Sequence, residues 1–389
     1  MFQSFFTGLS GMLSFSQNLD NVSNNISNLN TPGFKGSDTF YSSLTSGDSA
    51  FGTQISGQQQ RFTEGEIRQT GNPGDLAIAG QGFFILMNDG EINYTKAGQF
   101  IFNDDGVLVD SVSGGKVAAI TDEGKLEEIN ISDVGVLAPQ ATSQVDFIGN
   151  LSTDMSSFTV ADVEVFTGLG EQRQYRFEFT NNSATEAGSW SVRIVDDNGA
   201  DVHTGEIRFD SQGTPVNTFS KVSFQVEDSL GGETTVEIDF GENGSFAKGT
   251  SVSGGDTSTL RASVVDGYGV ASLTTVDFTA DGQLTLNYSN GEAVDGPFIA
   301  LANFTNLSTL SVVQGSVFEA GDNSTRVIGR ANESGLGSIL SESIELSNVD
   351  LSREFADMII IQRGYQASSR ILNVANQLLE QLYENTRGR

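Results

Sequence analysis

Residues 351–383 read LSREFADMIIIQRGYQASSRILNVANQLLEQLY. Leu351, Met358, Tyr365, Leu372 and Leu379 stand seven apart. Ile361, Ala375 and Leu382 fill the row three residues on, where Glu354 and Ser368 are exceptions. An apolar repeat of this kind marks a helix that lays one stripe against another helix. The run has no proline and one glycine, Gly364, and Asp350 before it can cap the first turn. At 1.5 Å per residue such a helix extends roughly 50 Å, more than a small domain needs.

The other end of the chain carries a matching stripe. Phe5, Met12, Leu19 and Ile26 are seven apart, and Phe15, Val22 and Leu29 follow three residues after the last three of these. Asn30-Thr31-Pro32-Gly33 stops the helix, because proline lacks the amide proton and disfavours helix in the residue before it. The rest of its surface holds Asn18, Asn21, Asn24, Asn25 and Asn28 with serines between them and one charge, Asp20. Asn and Ser are mediocre helix formers, so this helix is expected to be ordered only against a partner.

Between the ends the periodicity changes to two. Tyr175/Phe177/Phe179, Val236/Ile238/Phe240 and Leu284/Leu286/Tyr288 alternate with polar residues, the pattern of strands with one buried face. Turns are marked at Asn88-Asp89-Gly90, Asp104-Asp105-Gly106, Asp281-Gly282 and Asn290-Gly291. Residues 82–87 form a continuous apolar run and read as a fully buried strand.

Composition excludes several classes. The 389 residues carry 50 acidic against 20 basic side chains, a net charge of -30, which argues against nucleic acid as a partner. There is no cysteine and one histidine, so disulfides, thiolate zinc sites and polyhistidine sites are excluded. No apolar stretch is long enough to span a membrane, so membrane insertion is not expected. The first basic residue is Lys35, so the N-terminus is not a standard secretory signal. That predicts a cytosolic protein or one exported without signal cleavage. Residues 141–300 hold 24 acidic and 7 basic residues, a net of -17, as in a solvent-facing inserted domain.

No stretch carries an arrangement for bond chemistry. His203 has no local nucleophile to activate. Gly80-Gln81-Gly82 is followed by a strand pattern, not by the helix a phosphate loop needs, and reads as a tight turn. Asp196–Asp201 lacks the spacing of a calcium loop and reads as a hairpin turn. Catalytic residues, cofactors and metal sites are all expected to be absent.

Residues 18–36, NLDNVSNNISNLNTPGFKG, resemble the N-terminal signature of bacterial flagellar rod and hook proteins. Residues 75–84, with Tyr94–Phe100 and Asp105–Val109, resemble the core of that family. Ser347–Phe355 and Met358–Ala367 resemble its C-terminal signature. The long inserted segment favours the hook branch, with the distal rod as the alternative. The resemblance implies a torque-transmitting tubular homopolymer. Its partners would be rod and hook–filament junction proteins, a hook cap during assembly and the flagellar type III export apparatus. The location would be the flagellum, outside the cell.

The expected architecture is mixed and mainly β. Residues 1–33 and 348–389 form a helical domain pairing in coiled-coil fashion. Residues 34–70 form an extended connector, 71–145 and 270–347 a β-rich inner domain, and 146–269 an inserted acidic outer β domain. The expected subunit-interface residues are Phe5, Met12, Phe15, Leu19, Val22, Ile26, Leu29, Leu351, Met358, Ile361, Tyr365, Leu372, Ala375, Leu379 and Leu382.

Overall fold

The computed structural model describes residues 2–46, 49–88, 90–321 and 326–387. Two long helices frame a mainly β chain: α1 (Phe2–Ser27) and α2 (Leu351–Arg387). The chain folds as two compact units. Unit 1 comprises Met1–Asp133, Thr275–Asn287 and Ala293–Arg389, and unit 2 comprises Val134–Thr274 and Tyr288–Glu292. The inserted segment expected over 146–269 lies within unit 2, which starts earlier and takes in a short return segment.

Unit 1 holds both helices. Its main sheet runs antiparallel in the order Ala293–Ile299, Lys116–Ile120, Phe83–Asn88, Glu91–Thr95, Val317–Ala320, Leu310–Gln314. Phe83–Asn88 is central, and its first four residues are buried, as the apolar run predicts. Phe83, Tyr94, Phe304 and Phe318 form the aromatic heart of this core, with Tyr94 and Phe304 ring centres 4.8 Å apart. Two short antiparallel pairs lead toward the helix roots: Leu76–Ala79 with Ser338–Ser341, and Ile67–Gln69 with Ser343–Glu345.

The segment read as an extended connector is a β-hairpin. Ser37–Ser46 pairs with Ser49–Gln60 antiparallel, from Ser37 opposite Gln60 to Ser46 opposite Ser49. Its Ser, Thr, Gly and Gln content gives no apolar alternation, so the pattern that reveals a strand is missing. An isolated two-stranded hairpin is marginal in water. This one is held against α1, where Ser14 Oγ donates to Thr53 O at 3.1 Å.

Unit 2 contains two sheets. Ser157–Phe166, Gln172–Asn181, Ser189–Asp196 and Asp201–Arg208 form an antiparallel meander. The second sheet orders Lys221–Glu227, Glu233–Asp239, Gln144–Ser152 and Thr250–Ser253, with Gln144–Ser152 parallel to Glu233–Asp239. Phe147 of the second sheet packs on Phe177 of the first, ring centres 5.0 Å apart, and on Phe240 at 5.4 Å. Trp190, Val192 and Ile194 close the same core. This is face-to-face sheet packing, in which alternate residues point inward.

The expected turns at Asp104–Gly106, Asp281-Gly282 and Asn290-Gly291 connect strands. Asp89 of the fourth lies outside the described residues. Asp196–Asp201 forms the hairpin turn between Ser189–Asp196 and Asp201–Arg208, and His203 is exposed on the second of these strands. Among the described residues, no helix is long and apolar enough to cross a membrane.

Candidate functional site

The two terminal helices pack on each other within unit 1, and their seam is built from small and polar residues. On α2 the deepest row is Glu354, Ile361, Ser368 and Ala375, none more than 8% exposed. This row contains the two positions that look like interruptions in the sequence. The row expected to be its equal is shallower: Met358, Leu372 and Leu379 are half-buried, while Leu351 and Tyr365 are exposed. Leu382 is exposed as well. The helices approach closely where glycine stands: a Cβ at Gly8 would lie 3.1 Å from Ser368 O. A Cβ at Gly364 would lie 2.4 Å from the Phe15 ring, and one at Gly11 would lie 2.7 Å from Ser368 Oγ. Phe15 fills the space that Gly364 leaves, while Met358, Leu372 and Leu379 lie on the flanks of the seam.

On α1, Val22 is buried, while Phe5, Met12, Phe15, Leu19, Ile26 and the following Leu29 are half-buried. Val22, Ile361 and Ala375 are therefore covered within a single chain.

The asparagine stripe also turns inward. Asn21 and Asn25 are buried and grip the start of the hairpin. Asn25 Nδ2 donates to Ser37 O at 3.0 Å, and its Oδ1 accepts from Ser37 N at 3.0 Å. Asn21 Nδ2 donates to the same carbonyl at 2.8 Å. Asn25 also donates to Glu354 Oε2 at 3.1 Å, and Arg61 donates to Glu354 Oε1 at 2.5 Å. One polar knot thus joins α1, the hairpin and the first turn of α2. Asp350 caps that turn, accepting from Ser352 N at 2.8 Å.

A second knot lies at the helix roots. Lys35 and Glu345 are fully buried and paired at 2.6 Å. Glu345 Oε1 also accepts from Gly65 N at 2.7 Å, and Lys35 Nζ donates to Thr63 O at 2.8 Å. Lys96 Nζ stands 3.9 Å from Glu345 Oε2. Burial holds the Lys96 ammonium below its ordinary pKa, with Glu345 opposing that shift. Gly33 sits at φ +67°, and a Cβ there would lie 2.2 Å from Ala97 N. Only glycine suits this left-handed, crowded position. None of these knots appears in the expected site. Asn18, Asn21, Asn25 and Asn28 are spaced 3, 4 and 3 apart, a helical period in polar residues, and the middle two of the four are buried.

The outer faces of the pair remain apolar. Phe6, Leu9 and Leu13 are exposed on α1, Leu13 at 60%. On α2, Ile360, Ile371, Val374 and Leu378 are exposed, Ile360 at 64%. Ile371, Val374 and Leu378 line a groove of about 350 Å³ with Ser4, Arg370 and Ala375. Clustered apolar exposure of this kind marks an interaction surface.

Three segments match family profiles. Residues 5–35 match one described as "Flagella basal body rod protein", and residues 77–148 match "Flagellar hook protein FlgE/F/G D1 domain". Residues 340–384 match "Flagellar basal body rod FlgEFG protein C-terminal". The flagellar hook protein FlgE of Brucella melitensis is 30% identical over 396 residues, covering 97% of both chains. The chain belongs to the flagellar hook protein family. The hook proteins of Rhizobium meliloti and Salmonella typhimurium align over 97% of the chain at 30% and 28% identity. These full-length matches place the chain with hook subunits and not with the distal rod. The crystal structure of Helicobacter pylori FlgE2 shares the fold, with a TM-score of 0.52 at 13% identity over 70% of this chain and 98% of that one. The family is structural and flagellar, and the architecture is mainly β with one helix at each end.

Proposed function

We propose that the chain polymerises into the hook tube through the outward apolar faces of α1 and α2, the groove at Ile371, Val374 and Leu378 receiving Phe6, Leu9 and Leu13 of a second copy. The observation that carries this reading is apolar exposure on a helix pair whose mutual seam is already filled. Fully burying a large apolar side chain is worth about 1.5–3 kcal/mol, so several such residues per contact give substantial association energy. The expected interface residues divide accordingly. Leu351 and Tyr365 are exposed and meet a second copy, and the others order the pair itself in coiled-coil fashion.

In this reading the helical segments 1–33 and 348–389 line the tube, and the inserted acidic segment 146–269 is solvent-facing. A charged, polar surface suits contacts that slide when a tube bends while transmitting torque from rod to filament. The same reading includes export as an unfolded chain through the flagellar type III apparatus, without signal cleavage. A cap would guide assembly, and rod and junction proteins would meet the two ends of the tube. An α1 that is weak in isolation suits both export and late folding.

Electron microscopy of the full chain concentrated in ammonium sulfate tests this. Hollow tubes are expected. The triple variant Ile371→Ser/Val374→Ser/Leu378→Ser is expected to form none while melting like the parent. Tubes of the parent kind from that variant would overturn the assignment.

A further inference from the structure

Four segments of unit 1 converge on the Glu345 carboxylate. Lys35 comes from the root of α1, Thr63 and Gly65 from the segment after the hairpin, Lys96 from the bend that follows the strand Glu91–Thr95, and Glu345 from the last strand before α2. Two ammonium groups thus face one carboxylate, and all three residues are at most 5% exposed. The bonding is lopsided. Oε1 takes both short bonds, while Oε2 has no hydrogen-bond partner. Lys96 donates instead to Gly80 O at 3.1 Å and lies over the Phe83 ring, 5.5 Å from its centre. Glu64, exposed beside it, is the other acid in the field of Lys96.

Stability does not explain this arrangement. Desolvating three charges is costly, and well-packed apolar replacements of buried ionic groups are often as stable or more so. A carboxylate does something an apolar side chain cannot: it accepts directed bonds from separate segments and so fixes their relative direction. The Glu345 backbone joins in, its carbonyl accepting from Gly33 N at 2.8 Å. The same residue therefore holds the exit of α1 and stands five positions before the Asp350 cap of α2.

We propose that Glu345 is a positioning residue for polymerisation: gripped by Lys35 and Gly65, with the Lys96 ammonium 3.9 Å away, it sets the direction in which the terminal helix pair leaves the sheet of unit 1. This rests on the reading of the helices as the polymer contact. A helical tube repeats one subunit geometry many times, so a small error in that direction accumulates along it. The knot supplies geometric accuracy that apolar packing would leave loose.

The test uses the full chain with Lys35→Met, Glu345→Met and Lys96→Met combined. Expected are a melting temperature at or above the parent's and tubes that are lost or changed in diameter or helical repeat. Parent-like tubes would overturn the proposal. Should the triple variant fail to melt cooperatively, Lys96→Arg and Lys96→Met decide, since Lys96 lies off the two short bonds. Lys96→Arg should keep parent tubes and Lys96→Met should alter them at unchanged melting temperature. Identical tubes from both would overturn the proposal. Absence of tubes from the parent would instead sink the polymer reading beneath it, so the two failures are told apart.

Discussion

Unit 2 and the terminal helix pair handle their apolar residues in opposite ways. In the sandwich, Phe147, Phe177, Phe179 and Trp190 are at most 1% exposed, and the two sheets satisfy each other. On the helix pair, Leu13, Ile360 and Val374 are all more than half exposed while small and polar residues fill the seam. The sandwich is complete as a single chain. The helix pair leaves an apolar surface uncovered.

The most severe way to break the contrast is to remove residues 351–387. Polymer should vanish in electron micrographs while the melting transition of unit 2 stays in place. Loss of that transition would show that the sandwich depends on α2. Next in size is Trp190→Ala, which empties the centre of the sandwich and should lower the stability of unit 2 by about 3–5 kcal/mol in denaturant titration. Helix-pair contacts, followed by the crosslinking of neighbouring subunits, should persist. Ile361→Ala removes a buried seam side chain and should loosen the pair by about 2–5 kcal/mol, read as faster amide exchange across α1. An unchanged exchange rate would move Ile361 out of the seam.

The smallest expected effect concerns acid. Asp266 is pushed up by burial, but hydrogen bonds from Ser143 and Gln144 outweigh this and hold its carboxyl below the ordinary range. A lowered folded pKa adds stability above the unfolded value of about 3.9, and that stability is lost as pH falls through the lower folded value. Asp266→Asn should therefore melt unit 2 slightly earlier at pH 7, with the gap closing in acid. A gap independent of pH would assign the effect to packing.

Much of the fold was legible locally. Alternation at Tyr175/Phe177/Phe179 and at Val236/Ile238/Phe240 placed the buried faces of strands, because a pleated strand sends successive side chains to opposite sides. The heptad spacing placed both helices. The hairpin at Ser37–Gln60 was missed because its strands lean on α1 through hydrogen bonds and carry no apolar alternation. The site was legible only in part. Apolar repeat arithmetic ranked Leu351 and Tyr365 with Ile361, yet the structure exposes the first two and buries Glu354 and Ser368. Arithmetic of that kind assumes that large side chains fill a seam. Gly8 and Gly11 leave no room for a Cβ beside Ser368, and Gly364 gives its space to the Phe15 ring.

The sequence by itself determined the periodicities, and with them the helices at both ends, the β character between them and the acidic insertion. These follow from geometry within one element, where 3.6 or two residues per repeat decide which side chains share a face. The tertiary structure alone decided which face is buried inside the chain and which is left exposed. That choice depends on backbone distance and on partners hundreds of residues away, such as Glu345 for Lys35 and Glu354 for Asn25. No local pattern encodes those pairings, because a buried charge is stabilised by what surrounds it in space and not by its neighbours along the chain.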